Sequence, residues 1–447
     1  MRGSRRLVYA ASALIVLAGA LALVRWQVRV RRSEPDLVPV AWRAVDQLDL
    51  AELREEALDS ARRLVRAFPD SPHAWLVTAK LQSRLGATAD SMNTCRRCLD
   101  IDPQFWAAYH QMASIAIGRG EYGEAENYYR KLVAGDPSSE EALTLLAETL
   151  IHGGKLDEAI ALLESSQAHG LAETARQMLL GQAYLELQKY EQAKECFTSV
   201  LAAAPKYPDA WYALGNACTR LGDADQAKYC REQFDRFKTA SKSAYTDPGG
   251  VRRDLDSMRA LVATVHQSAG REHLRHGDTA EAERYWRRAA ELSPDDQDVR
   301  RALALFYRAA ERWPEAFQMV AELRRIAPDQ ARHAILAGSI HAQAGQFDEA
   351  AEAYREATRM APTSSAGFAA LAHLYLLFDR SPTEAADLAR QAVACEPTPP
   401  NYFLLAQTLI RLKDPTGARA AIEQAIRGDP HNQQYQSVYQ SILAGLR

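Results

Sequence analysis

Two clusters in this 447-residue chain carry residue types that could do chemistry. Cys95-Arg96-Arg97-Cys98 sets two thiols at the spacing of a redox pair or of a haem attachment. His266, His273 and His276, with Glu272 among them, offer nitrogen and carboxylate donors of the kind a metal ion needs. Attachment of haem requires a histidine directly after the second cysteine, and Leu99 stands there. A redox pair usually has its first cysteine at a helix N-terminus, where the helix dipole lowers its pKa. The pattern around Cys95 places both thiols in mid-helix, which reads as two small apolar packers. The sequence has no strand-like alternation, no phosphate-cradling glycine loop and no nucleophile elbow. It predicts no catalytic site, no cofactor and no metal.

The elements that would position these residues repeat. Pro69, Pro103 and Pro137 are spaced by 34, as are Pro294, Pro328 and Pro362; Pro205 falls at twice that interval after Pro137, and Pro397 and Pro430 follow with a one-residue slip each way. A fixed period of this size marks a stack built from one supersecondary unit. Within a unit two amphipathic helices are legible. In the stretch 174–207, Leu180, Gly181 and Tyr184 share a face of the first, and Ala193, Phe197 and Val200 share a face of the second. A small residue is needed where the two helices cross. A Gly-x step, or Gln188-Lys189, marks the turn between them, and proline ends the second helix because it has no amide donor and clashes with the preceding turn.

This pattern resembles the tetratricopeptide repeat. The positions that carry the resemblance are Trp211, Leu214, Gly215, Gly222 and Ala227 in one unit. In another they are Ala337, Gly338, Gly345, Ala350, Tyr354, Ala357 and Pro362, and in a third Trp75, Ala79, Gly86, Cys95, Cys98 and Pro103. The register runs as units at 38–71, 72–105, 106–139, 140–173, 174–207 and 208–241, then 263–296, 297–330, 331–364, 365–398 and 399–432. The resemblance implies an all-α fold, a right-handed superhelix of helix-turn-helix repeats. It implies that Trp75, Trp211 and Trp286 are core residues, and that His273 occupies the core-facing slot usually held by tyrosine. It also implies a concave groove lined by the first helix of each unit. Its slots include Lys80, Arg84, His110, Gln111, Gln182, Tyr212 and Asn216 in the first array, and Arg271, Arg275, Arg301, Arg308 and Arg332 in the second. Arginine suits bidentate recognition of carboxylates, so the second groove is expected to take an acidic segment, with pairing to Glu272 or Asp298 as the alternative. The family's two-carboxylate clamp needs lysine and asparagine at set slots of successive units, and Asn216 stands alone, so that specificity is not carried over.

The resemblance leaves the two ends and a break unexplained. Leu7–Val24 contains no charge, is preceded by Arg2, Arg5 and Arg6 and followed by Arg25, Arg29, Arg31 and Arg32. A run of this length nearly spans a hydrocarbon core. The expected organisation is a basic tail (1–6), one transmembrane anchor (7–24), a juxtamembrane linker (25–37), a first array (38–241), a linker and helix extension (242–262), a second array (263–432) and a capping helix (433–447). In the extension Val251, Leu255, Met258, Val262 and Val265 share one face, so a long helix should merge into the first helix of unit 263–296. In the cap Tyr435, Val438, Ile442 and Leu446 do the same. A formal net charge of -3 on a chain with 25% charged residues excludes the basic footprint of a nucleic-acid binder. The function expected is a membrane-anchored scaffold, its repeats on the extracytoplasmic (periplasmic) side, binding protein or peptide partners. The rival readings are a bacterial envelope assembly factor that handles exported chains and a secreted binding protein whose first residues are a cleaved signal peptide.

Overall fold

The computed structural model describes residues 42–137, 139–165, 171–241 and 250–445. The apolar run 7–24, the segment 242–249 and Leu446 lie outside the described residues; among those described, no helix is long and apolar enough to cross a membrane. The described residues form helices with no strand. After a short 3-10 turn at Val45–Gln47 come α1 (Leu50–Ala67), α2 (Pro72–Arg84), α3 (Thr88–Ile101), α4 (Trp106–Gly118), α5 (Tyr122–Gly135), α6 (Glu140–His152), α7 (Leu156–Ser165), α8 (Glu173–Glu186), α9 (Tyr190–Ala203), α10 (Pro208–Leu221) and α11 (Ala224–Ser241). The long α12 (Gly250–Arg275) follows, then α13 (Thr279–Leu292), α14 (Gln297–Ala309), α15 (Trp313–Ile326), α16 (Ala331–Gln343), α17 (Phe347–Met360), α18 (Ser365–Leu377), α19 (Pro382–Cys395), α20 (Pro399–Arg411), α21 (Pro415–Gly428) and α22 (Gln433–Gly445). The chain divides into two compact units, Glu272 closing the first and His273 opening the second.

The starts and stops follow from local chemistry. Asp49 caps α1 in a reciprocal box, its carboxylate accepting from the Glu52 amide at 2.8 Å while the Glu52 side chain accepts from the Asp49 amide at 3.2 Å. Ser71, Ser139, Asp278, Asp296 and Asp414 cap later helices in the simpler way. The fifteenth residue of each unit from 72 onward turns the chain with positive φ. Glycine holds that slot at 86, 120, 154, 222, 277 and 345, whereas Gln188, Glu311, Asp379 and Lys413 adopt the same left-handed backbone with a side chain attached.

Two devices join the helices. Within a unit a small residue lets them cross closely: a Cβ built on Gly181 would lie 2.5 Å from the Phe197 ring, and one on Gly338 would lie 2.5 Å from Tyr354. Between units, a donor from the next first helix satisfies carbonyls left open where the preceding second helix ends. The Trp75 indole donates to the Pro69 carbonyl at 2.8 Å and Trp211 to that of Pro205 at 2.9 Å. The Arg300 guanidinium donates to the carbonyls of Ser293, Asp296 and Ala290, and the Asn401 amide to that of Glu396 at 2.8 Å.

Cys95 and Cys98 are fully buried beside Leu76, Ala79 and Met112. His273 and Trp286 are buried too, His273 stacking on Tyr285 and lying 3.0 Å from Asp278. At the end, Tyr435 and Ile442 of α22 are buried against α20 and α21.

Candidate protein-interaction grooves

Within each unit the first helices of successive repeats touch one another, α2 with α4, α6 with α8 and α8 with α10, then α16 with α18 and α18 with α20. They therefore form stretches of inner wall, with the second helix of a repeat packed against its own first helix. Any partner held by this wall meets the side chains that these helices do not use for packing.

In the first unit Gln182 and Asn216 are half-buried on the neighbouring helices α8 and α10. Tyr212 is 58% exposed, its ring 5.4 Å from that of Phe234 on α11. Lys80 and Arg84 are exposed on α2, and Gln111 is half-buried on α4. The five arginines expected to form one acidic-segment site divide between the units. Arg271, on α12, belongs to the first; Arg275, Arg301, Arg308 and Arg332 belong to the second. Arg301, Arg308 and Arg332 are already engaged. Arg301 pairs with Asp298 at 2.9 Å, Arg308 donates to the Ser339 hydroxyl at 3.3 Å, and Arg332 donates to the Gln297 side chain at 2.8 Å. The last two contacts bind α14 to α16, so these side chains tie adjacent first helices together.

The first unit holds a feature that spacing alone did not single out. The part of α12 up to Glu272 packs back on the start of the array. His266 lies 2.9 Å from Glu56 and edge-on to Trp42; Arg259 donates to the Val45 carbonyl at 3.2 Å; the Ser71 hydroxyl donates to Glu272. Val262, Val265 and Ala269 are buried. A cleft of about 1250 Å3 remains between this helix and the wall formed by α1, α2 and α4. Lys80, Arg84 and Gln111, all expected groove residues, line it; Arg54 and the α12 wall were not foreseen.

The clusters that could have done chemistry take other roles. Burial pushes the Cys95 and Cys98 thiols up to about 12, so both are neutral near pH 7 and poor nucleophiles. Among the described residues no three histidine, cysteine or acidic side chains gather as a metal site would require.

Family comparison rests on the same periodicity. Tetratricopeptide repeat family models match residues 43–104, 178–235, 320–365 and 335–402, a second such model matches 273–340, and a third matches 399–432. The chain is a tetratricopeptide repeat protein. A model of the anaphase-promoting complex (cyclosome) subunit 3 also matches this repeat protein over residues 118–200. Hsp70-Hsp90 organizing protein 2 of Arabidopsis thaliana is 27% identical over 88 residues, 19% of this chain and 15% of that one. Protein O-mannosyl-transferase TMTC1 of Homo sapiens is 24% identical over 210 residues, 46% of this chain and 21% of that one. The alignments span only 15% to 29% of the lengths of the relatives matched. Among solved structures, yeast Tom70 is 14% identical, with 83% of this chain and 95% of that chain covered at a TM-score of 0.37.

Proposed function

We propose that this tetratricopeptide repeat protein is a non-catalytic adaptor that gathers protein partners on the inner walls of its repeats, held at a membrane by residues 7–24. The observation that carries the reading is the row of touching first helices in each unit, with Gln182, Tyr212, Asn216 and Arg301 left on its surface. Such a wall binds extended or helical segments by shape and polar contact. An exposed tyrosine is a fitting anchor, because it contributes a large contact area with little side-chain freedom to lose. The anchor is supported by the uncharged run Leu7–Val24 and its flanking arginines, and it would raise the local concentration of the repeats at the membrane. The repeats are proposed to lie outside the cytoplasm, although the four arginines that follow the run weigh against that side.

The test is proximity labelling from the C-terminus in cells, combined with an alkaline carbonate wash of the membrane fraction. The chain should stay with the membranes, and its labelled neighbours should be proteins of the extracytoplasmic compartment. Substitution of Tyr212 and Asn216 by alanine should thin that set of neighbours. Release of the chain by carbonate would remove the anchor, and an unchanged set of neighbours in the double variant would remove the groove.

A further inference from the structure

We infer that the cleft between α12 and the first repeats is a binding site for an extended acidic protein segment, held between two walls of the same chain. The inference rests on the adaptor reading above and names its partner class in the first unit. One wall is the inner surface of α1, α2 and α4, and the other is a single face of α12. That face carries Asp254, Met258, Leu261, Thr264, Val265 and Ser268, at the spacing of one helical stripe.

Charge decides the partner. Arg54, Lys80 and Arg84 line the cleft and are exposed, and among the described residues none has an ion pair or hydrogen bond. Among the described residues Asp254 is the one acidic residue of the lining. Some arginines elsewhere are neutralised by neighbours, as Arg130 is by Glu126 and Glu158, and Arg312 by Glu283 and Glu315; the cleft instead gathers three cations without an ion pair among the described residues. The cleft therefore presents unsatisfied positive charge beside apolar side chains (Leu81, Leu261) and neutral hydrogen-bonding groups (Gln111, Ser114). Carboxylates of a partner meet the three cations, and its backbone can bond to the hydroxyls and the amide.

Size and chemistry narrow the class further. The volume of about 1250 Å3 exceeds the roughly 300–1,000 Å3 of ordinary small-molecule sites. The stripe from Asp254 to Ser268 is about 21 Å long at the helical rise of about 1.5 Å per residue, which about six residues of extended chain cover. Among the described residues no aromatic side chain lines the cleft, so these offer no stacking platform of the kind a single-stranded nucleic acid uses.

The experiment is fluorescence anisotropy of a labelled oligoglutamate of about six residues with the full chain in detergent. The peptide should bind, more weakly as salt rises, and an oligoglutamine of the same length should not. Reversal of two charges together, Lys80→Glu with Arg84→Glu, should weaken binding at least tenfold. Thr264→Trp, which fills the cleft from the α12 side at an exposed position, should do the same, while Lys80→Arg should bind as wild type does. Circular dichroism confirms that each variant keeps its helices. No binding by the wild type, equal binding of oligoglutamine, tighter binding of a short single-stranded oligonucleotide, or no effect of the double reversal would each overturn the assignment. If labelled neighbours in cells persist undiminished in the double reversal, the acidic-segment site fails while the adaptor reading stands.

Discussion

At the scale of single residues, the chain repeatedly satisfies one helix end from the next repeat. The carbonyls at the end of a second helix have no partner within it. Trp75 and Trp211 supply one donor each through the indole nitrogen, and both also pack their rings against the core. Phenylalanine keeps the ring and removes the donor, so Trp75→Phe and Trp211→Phe should each cost about 1 kcal/mol, read from chemical denaturation. A second site is electrostatic. Glu126, 10% exposed, accepts from Arg130 at 2.8 Å and lies 3.0 Å from Lys155, tying α5 to the turn before α7. Burial alone would raise its pKa, but the hydrogen bonds from Arg130 and Lys155 hold it below the usual glutamate value. A carboxyl with a lowered folded-state pKa stabilises the fold above the unfolded value of about 4.3, and that contribution disappears as pH falls through the folded value. Glu126→Gln should thus cost about 1–3 kcal/mol at pH 7 and lose less stability than wild type below about pH 4, measured by denaturation across pH. An equal acid response in both proteins would show that Glu126 is not linked to folding.

At the scale of elements, the turn between paired helices is a position fixed by geometry, and four units fill it against the local preference. A side chain in the left-handed region costs about 1–2 kcal/mol, and glycine avoids most of that. Gln188→Gly and Lys413→Gly should therefore stabilise their units by about 0.5–1 kcal/mol after the entropic loss of glycine, seen as a raised denaturation midpoint. A fall in midpoint at both sites would mean that those side chains contribute more than the strain costs. This regularity explains why the fold was so legible. The proline period, the small crossing residues and the turn slot are all local, and each recurs at a fixed interval, so the second helix of every unit can be drawn from sequence. The long helix from Gly250 to Arg275 was legible for the same reason, through the stripe that includes Leu255, Met258 and Val262. Its destination was not. His266 meets Glu56, and Glu272 meets Ser71, across about 200 residues of sequence, and no spacing rule reaches that far. The free charges were legible only in part: the aspartate three residues before Arg301 pairs with it, as the spacing allowed, whereas nothing local marks Arg54 as part of the cleft.

At the scale of the molecule, a repeat stack is stabilised by each unit and by the interfaces between neighbours, so a local loss spreads only as far as those interfaces continue. The chain clusters into two compact units that meet within the single helix α12. Close crossings in each give a matched pair of probes. Gly181→Ala drives a methyl against Phe197 in the first unit, and Gly338→Ala drives one against Tyr354 in the second. Overpacking of this kind costs about 1–3 kcal/mol, which lowers the melting temperature of a domain of this size by about 2–4 °C per kcal/mol. Calorimetry of the full chain should resolve two transitions. Gly181→Ala should lower one of them and Gly338→Ala the other, and the double variant should show the sum of the two, since the two glycines meet different rings in different units. If instead either substitution lowers both transitions together, α12 transmits folding energy between the two stacks, and the chain unfolds as one cooperative body despite its two cores.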